Sequence, residues 1–489
     1  MAGAEPDPRR WRALAVTLTA GFMTLLDVSI VNTALPSIER GLNTGAGTIQ
    51  WVVSGYALAF GLVLVTGGRL GDALGRRRMF LIALAAFVLT SALAGAALDP
   101  AMLIAARLAQ GCAAGLLTPQ NSGLIQDLFS GAERGRAFGM FGAVVGISTA
   151  VGPVLGGVIL ALFGDAEGWR WVFYVNVPIG VVAFGLAMKL VPVTERRKMR
   201  LRAEIDFVGI VLLAVAVLGV LLPLVQSERG GLGRFWWLFA VAVVFGTAFV
   251  WWERYVASRD RPPLLDIRLF TTTPGYASGA AVGALYFCGF AGIWLVFALF
   301  FQQGLGYTPL QSGLAVTPFA LSSAASAAVA GRLVPRFGRR LTVTGLSIVA
   351  LSMLAVALVV QLVPSSAAGF AVAGPLLIGG LGGGMVISPN TTLTLECVPN
   401  RLAGVAGGAL QTGQRIGTAI GTAVLASVFE SVVATGGYQN GLTAAMCCAA
   451  GLTGVALVLA ILELRARRRR ATLSEDRRAA QAAADIHRA

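Results

Sequence analysis

Two charged residues interrupt apolar stretches of this chain at depths where charge is expensive. Asp27 stands about 15 residues beyond Arg12, so at 1.5 Å per residue it lies about 22 Å into a helix crossing an apolar core about 30 Å thick. Arg107 follows the Asp99-Pro100 start of the fourth stretch and sits about 12 Å in from the opposite end. The depths are close enough for the two to meet across a cavity. An ionised group so placed costs several kcal/mol unless it is paired, solvated or neutralised, which makes both functional candidates. A carboxylate alone in a low-dielectric cavity holds a proton, and beside a guanidinium or a bound cation it gives the proton up. A group that alternates between those surroundings is a proton carrier. Arg107 reads either as the partner of Asp27 or as a donor to backbone carbonyls of neighbouring helices.

Further polar groups fall in the same apolar setting. Gln110 lies one turn beyond Arg107, Asn32 lies near the end of the first stretch, and Gln411, Gln414 and Arg415 cluster near the run Gly-Gln-Arg-Ile-Gly-Thr-Ala-Ile-Gly. By helical rise Arg415 is about 21 Å from the end near Arg401, matching Asp27. Glu396 and Glu430 lie near helix ends. The interior count is one acid against two arginines, a balance suited to a neutral, zwitterionic or anionic amphipathic ligand over a dication. Tyr286, Phe290, Trp294 and Phe297 recur at helical spacing and either grip an aromatic ligand or pack the core. His487 is the only histidine and the five cysteines lack metal-ligand spacing, so no histidine relay, His-based metal site or histidine triad is available. No Walker loop occurs. The expectation is a protein that is no enzyme and has no metal and no cofactor, with an ion gradient as its energy source.

The elements holding these residues are long and apolar. The chain has 489 residues, 56% hydrophobic and 12% charged, with a mean hydropathy of +0.77, a composition that requires lipid. Fourteen runs are long enough to span: about 13–35, 50–70, 79–97, 101–121, 138–162, 171–192, 207–226, 235–253, 275–301, 311–331, 341–362, 368–390, 403–427 and 442–462. None alternates with period two, so the fold class is all-α and a barrel is excluded. A net charge of +15 would suggest nucleic acid in a soluble chain, but here arginines gather in every second gap, while the other gaps hold only Arg40, Arg170, Arg229 and Arg234. The positive-inside rule then places both termini in the cytoplasm and the protein in the plasma membrane, with no nucleic-acid partner.

A charged, glycine-punctuated hinge, Gly67 to Arg78, returns in degraded form at Gly331 to Arg340, with Pro335 in place of the acid. The chain is thus expected to be duplicated: a tail at 1–12, a six-helix bundle at 13–193, an inserted helix pair with cytoplasmic linkers at 194–273, a second six-helix bundle at 274–464 and a basic tail at 465–489. Such repeats place a ligand near the midplane and work by rocking one bundle against the other. Asp72 in the first hinge is too near the cytoplasm to carry protons. Set at the start of the thirteenth helix near Arg401, it would latch the cytoplasmic side, gaining about 0.3–1 kcal/mol from the helix dipole, with Arg76, Arg134 or Arg136 as further partners.

Gly68, Asp72, Gly75 and Arg76 occupy the positions of the loop between the second and third helices of the major facilitator superfamily. Leu26 to Pro36, Trp169 to Phe173 with Asn176, Pro178 and Gly180, and Pro263 to Phe270 resemble, together, the fourteen-helix drug:proton antiporters of the EmrB and QacA type. The resemblance spans all but the tails. It implies two six-helix bundles with an inserted pair, a monomer, and export of hydrophobic or amphipathic small molecules against protons, with Asp27 and Arg107 tied to coupling. Gly142, Gly146, Gly152, Pro153, Gly156 and Gly157 resemble the antiporter motif, associated with export; small residues also simply permit tight packing, and Pro153 bends its helix. The alternatives are a lipid or metabolite exporter, an importer, or a non-transporting sensor or enzyme.

Overall fold

A computed structural model describes residues 9–164, 167–192, 206–226, 231–259, 261–364 and 367–486. The first eight residues, the Arg196 to Arg202 cluster, Arg229 and His487 lie outside the described residues. Among the described residues every regular element is helical. Thirteen helices are long and apolar enough to cross a membrane, and the last, Asn400–Ala466, covers two spans. Gly437, at φ +80° and ψ 174°, breaks it, so fourteen spans result. In order they are α1 (Arg10–Gly41), α2 (Ala46–Leu74), α3 (Arg76–Gly95), α4 (Pro100–Leu128), α5 (Gly131–Phe163), α6 (Gly168–Leu190), α7 (Phe207–Val225), α8 (Trp237–Ser258), α9 (Tyr276–Gly304), α10 (Pro309–Phe337), α11 (Arg339–Leu362), α12 (Ala368–Leu395), α13 (403–436) and α14 (438–486). The basic tail continues α14 as helix to Ile486.

Local chemistry sets the helix ends. Asp99 caps α4 by accepting from the Met102 N–H at 2.8 Å, with Pro100 in the first turn. Thr308 and Gln311 form a capping box at the start of α10. The two hinge copies turn on glycines with positive φ, Gly75 (+94°) between α2 and α3 and Gly338 (+52°) between α10 and α11, a backbone region that side chains disfavour.

Two seams join the halves. Along α5 and α10, Gly135 meets Gly331, Gly139 meets Ala327, and Gly146 meets Ala320 and Ala324, each so close that an added Cβ would lie 3.0 Å or less from the facing atoms. Along α2 and α13, Gly68 faces Gly404 and Leu64 faces Gly408 in the same manner. With no hydrophobic drive between helices in lipid, backbone proximity of this kind supplies the dispersion contact that associates them. The inserted pair packs on itself through Gly219 against Leu238 and Ala242. Helix α7 also lies over the α2–α13 seam: Leu58 of α2, Val217 and Leu221 of α7, and Ile416 and Ala419 of α13 form one apolar cluster. Large apolar side chains such as Leu89, Leu162, Val243, Trp251 and Leu358 point outward, as lipid-facing surface requires.

Candidate functional site

Asp27 and Arg107 are both buried and form an ion pair, Arg107 Nη1 to Asp27 Oδ2, at 2.5 Å. The same nitrogen donates to Gln110 Oε1 at 2.7 Å, and Arg107 Nε donates to the Val52 carbonyl of α2 at 3.0 Å. Both readings of Arg107 are therefore realised at once, as partner of the acid and as donor to a neighbouring backbone. The other carboxylate oxygen accepts from Gln110 Nε2 at 3.0 Å and from Asn176 Nδ2 at 3.1 Å. Asn176 also donates to Ser91 Oγ at 3.2 Å, and Ser91 donates to the Phe173 carbonyl at 2.9 Å. Helices α1, α2, α3, α4 and α6 are thus tied to one carboxylate. The carboxyl group of Asp27 thus has an arginine and two amides as hydrogen-bond donors. Removing one member of such a pair leaves the other uncompensated, typically at 3–5 kcal/mol.

The network borders the α2–α13 seam through aromatic rings. The Arg107 guanidinium lies 4.2 Å from the Tyr56 ring centroid, and one turn along α2 the Arg415 guanidinium lies 4.3 Å from the Phe60 ring centroid. The Tyr56 hydroxyl donates to the Thr24 carbonyl of α1 at 3.3 Å. Gln411 Nε2 donates across the seam to Ser122 Oγ of α4 at 3.3 Å, and Gln411, Gln414 and Arg415 are all partly exposed. Asn32 is exposed near the end of α1 and joins neither set.

At the arginine-rich end, Asp72 bridges the halves. Its Oδ1 accepts from the Gly404 N–H at 3.0 Å and its Oδ2 from the Val405 N–H at 2.9 Å. These are free N–H groups of the first turn of α13, the ones a helix leaves unsatisfied. Arg76 pairs with Asp72 at 3.0 Å and with Asp127 at 2.7 Å, and donates to the Asn400 carbonyl at 2.5 Å. Arg134 donates to the Gln126 and Phe129 carbonyls and reaches the Glu396 carbonyl. Gly68, where a Cβ would lie 2.2 Å from the Gly404 carbonyl, lets the two helices close. Of the α5 set, Gly142 faces Ala327 and Ser388, Gly152 faces Ser29 and Gly156 faces Thr33 and Ile30 of α1, and Pro153 touches Gly313 of α10; Gly157 meets nothing within 4 Å.

The aromatic run of α9 is a continuous stripe, Tyr286, Phe290, Trp294, Phe297 and Phe301 lying in ring contact one after the next. Phe290 and Trp294 also pack against Phe319 of α10, at 5.2 and 5.1 Å. Phe297 is fully buried in the core of the second bundle. Two further acids are buried among the described residues. Glu463 of α14 is buried and pairs with Arg339, which also donates to Asn390, and Glu253 of α8 is buried and accepts from the Leu265 N–H at 3.2 Å. Both lie toward the arginine-rich ends of their helices, where sequence depth alone reads them as interfacial. Asn176 and Ser91 were missed as site residues: an amide and a hydroxyl in apolar runs carry little signal, and only the fold joins them to Asp27. Among the described residues no group of three or more His, Cys, Asp or Glu is placed to hold a metal.

A family model described as Major Facilitator Superfamily matches residues 17–422. The probable actinorhodin transporter of Streptomyces coelicolor is 35% identical over 422 residues, covering 85% of this chain and 72% of that protein. The tetracenomycin C resistance and export protein of Streptomyces glaucescens is 33% identical over 419 residues, covering 84% of this chain and 75% of that protein. The solved structure of the proton:xylose symporter XylE shares the fold at a TM-score of 0.66 and 13% identity, over 93% of this chain and 95% of that one.

Proposed function

The chain belongs to the Major Facilitator Superfamily of membrane transporters, and from that premise we propose that it exports hydrophobic or amphipathic drugs or antibiotics in exchange for protons. The export reading draws on relatives named for transport, resistance and export. The observation that carries the proton step is the carboxylate of Asp27, buried within the first bundle and held by Arg107, Gln110 and Asn176. In the conformation described, Asp27 is paired and the Asp72 latch is engaged. With the arginine-rich face in the cytoplasm, as the positive-inside rule expects, this is a state closed to the cytoplasm.

A proton arriving from outside neutralises Asp27 and removes its attraction for Arg107. Arg107 is the side chain that grips α2 at Val52 and Tyr56, and α2 carries Asp72 at its other end. Neutralisation therefore loosens α2, the latch opens, and the cavity turns inward, where the proton leaves and cargo enters. Cargo and proton use the barrier in opposite directions. The protein is placed in the plasma membrane with both termini cytoplasmic, acting as a monomer.

The test is drug susceptibility of a pump-deficient bacterium expressing the chain or Asp27→Asn at matched levels, with efflux of a fluorescent amphipath driven by an imposed proton gradient. Resistance and gradient-driven efflux are expected from the parent and not from Asp27→Asn. Efflux that survives the substitution moves the proton to another group, and no efflux of any compound removes the drug-export reading.

A further inference from the structure

Taking the transport reading as premise, we infer that Arg415 recognises an anionic oxygen of the cargo, so that the preferred substrates are amphipathic organic acids carried as a carboxylate or as an ionised phenol or enol. Arg415 lies twelve residues beyond Ala403, about 18 Å along α13. It projects toward the first bundle, with its guanidinium over Phe60 of α2. It is not fully buried, and it lies well away from both ends of α13.

Arg76, Arg107 and Arg339 each have a carboxylate in contact. Arg415 makes neither an ion pair nor a hydrogen bond with any described residue. The Phe60 face offsets only part of the cost of holding a cation at this depth. The carboxylate of Asp27 is committed to Arg107, Gln110 and Asn176. The missing counter-charge is thus left for a guest to supply.

The surroundings fit such a guest. A guanidinium presents its N–H groups as a planar fork that a carboxylate or a pair of adjacent oxygens meets bidentately. Gln411, one turn toward the arginine-rich end, is partly exposed and donates to Ser122, while Gln414 lies against Gly283 of α9. Tyr56 and Phe60 are buried, with Arg107 over the one ring and Arg415 over the other, so the selectivity inferred is for charge. A competing role, in which Arg415 only clamps α13 to α2 through Phe60, predicts no discrimination by charge.

The experiment compares 9-anthracenecarboxylate with 9-anthracenecarboxamide, equal in shape and different in charge. Equilibrium binding to the detergent-purified full chain, read by anthracene fluorescence, decides the inference; uptake into proteoliposomes under an imposed proton gradient decides the transport reading separately. The parent is expected to bind the acid at least tenfold more tightly than the amide. Arg415→Gln is expected to remove that advantage while leaving the amide within twofold, and Arg415→Lys to restore part of it. An acid bound no tighter than the amide, an advantage that survives Arg415→Gln, or an equal loss of both probes in Arg415→Gln and Arg415→Lys overturns it.

Discussion

Asp27 is buried with an arginine and two amides donating to its carboxyl group, and each donor has a distinct second task. Arg107 reaches α2, Gln110 holds the guanidinium in place, and Asn176 ties in Ser91. A hydrogen bond to a charged group contributes about 1.5–3 kcal/mol. Asn176→Ala is accordingly expected to slow gradient-driven efflux by about tenfold or more at unchanged expression, and an unaltered rate would remove Asn176 from the proton site. Asp27 and Arg107 are legible in the sequence because charge in an apolar run is costly enough to need a reason. Asn176 lies 149 positions from its partner, and an amide in an apolar run carries no comparable penalty to draw notice.

Helix α2 is the element that links the proton site to the latch. Val52 and Tyr56 hold Arg107, Phe60 meets Arg415, Gly68 closes on Gly404, and Asp72 caps α13. Asp72→Ala removes two backbone hydrogen bonds between the halves, together about 3–6 kcal/mol before compensation by water. The population closed at the arginine-rich end should fall by at least tenfold. In a cysteine-free background carrying Ser122→Cys, labelling by a membrane-impermeant thiol reagent in inverted vesicles should accelerate accordingly; an unchanged labelling rate would show that the latch is not what holds this end shut. Helix α7 covers the same seam, with a Cβ at Gly61 lying 2.8 Å from Leu221 Cδ1. A disulfide between Gly61→Cys and Leu221→Cys is expected to form readily and to block efflux at least tenfold until reduced. Full turnover with the bridge intact would mean that α7 travels with α2 as one body. The sequence leaves the inserted pair without a task, since an apolar helix reads alike whether it faces lipid or a neighbour.

At the scale of the molecule, the even number of spans puts both ends of the chain on one face, and arginine placement selects which face that is. A protease site placed after residue 489 should be cut in inverted vesicles and protected in intact cells, and cleavage in intact cells would reverse the assigned orientation. Composition, span length and arginine periodicity are properties of the chain as a string, so the all-helical class follows from the sequence by itself, while a duplication about the glycine hinges and the depth of Asp27 are expectations drawn from it. Lipid enforces that much, because every backbone group must bond within its own helix and every buried charge needs a partner. The partners themselves are a matter of tertiary structure. The sequence allows Asp27 to meet Arg107 without requiring it, gives no sign that Glu463 is drawn to Arg339, and leaves open whether the aromatic stripe of α9 meets a ligand or the core into which Tyr286, Phe290 and Phe297 are packed. It leaves Arg415 as one polar residue among several. Helical spacing fixes which residues share a face, whereas which faces meet depends on glycine contacts between helices hundreds of residues apart, and only the packed bundle decides them.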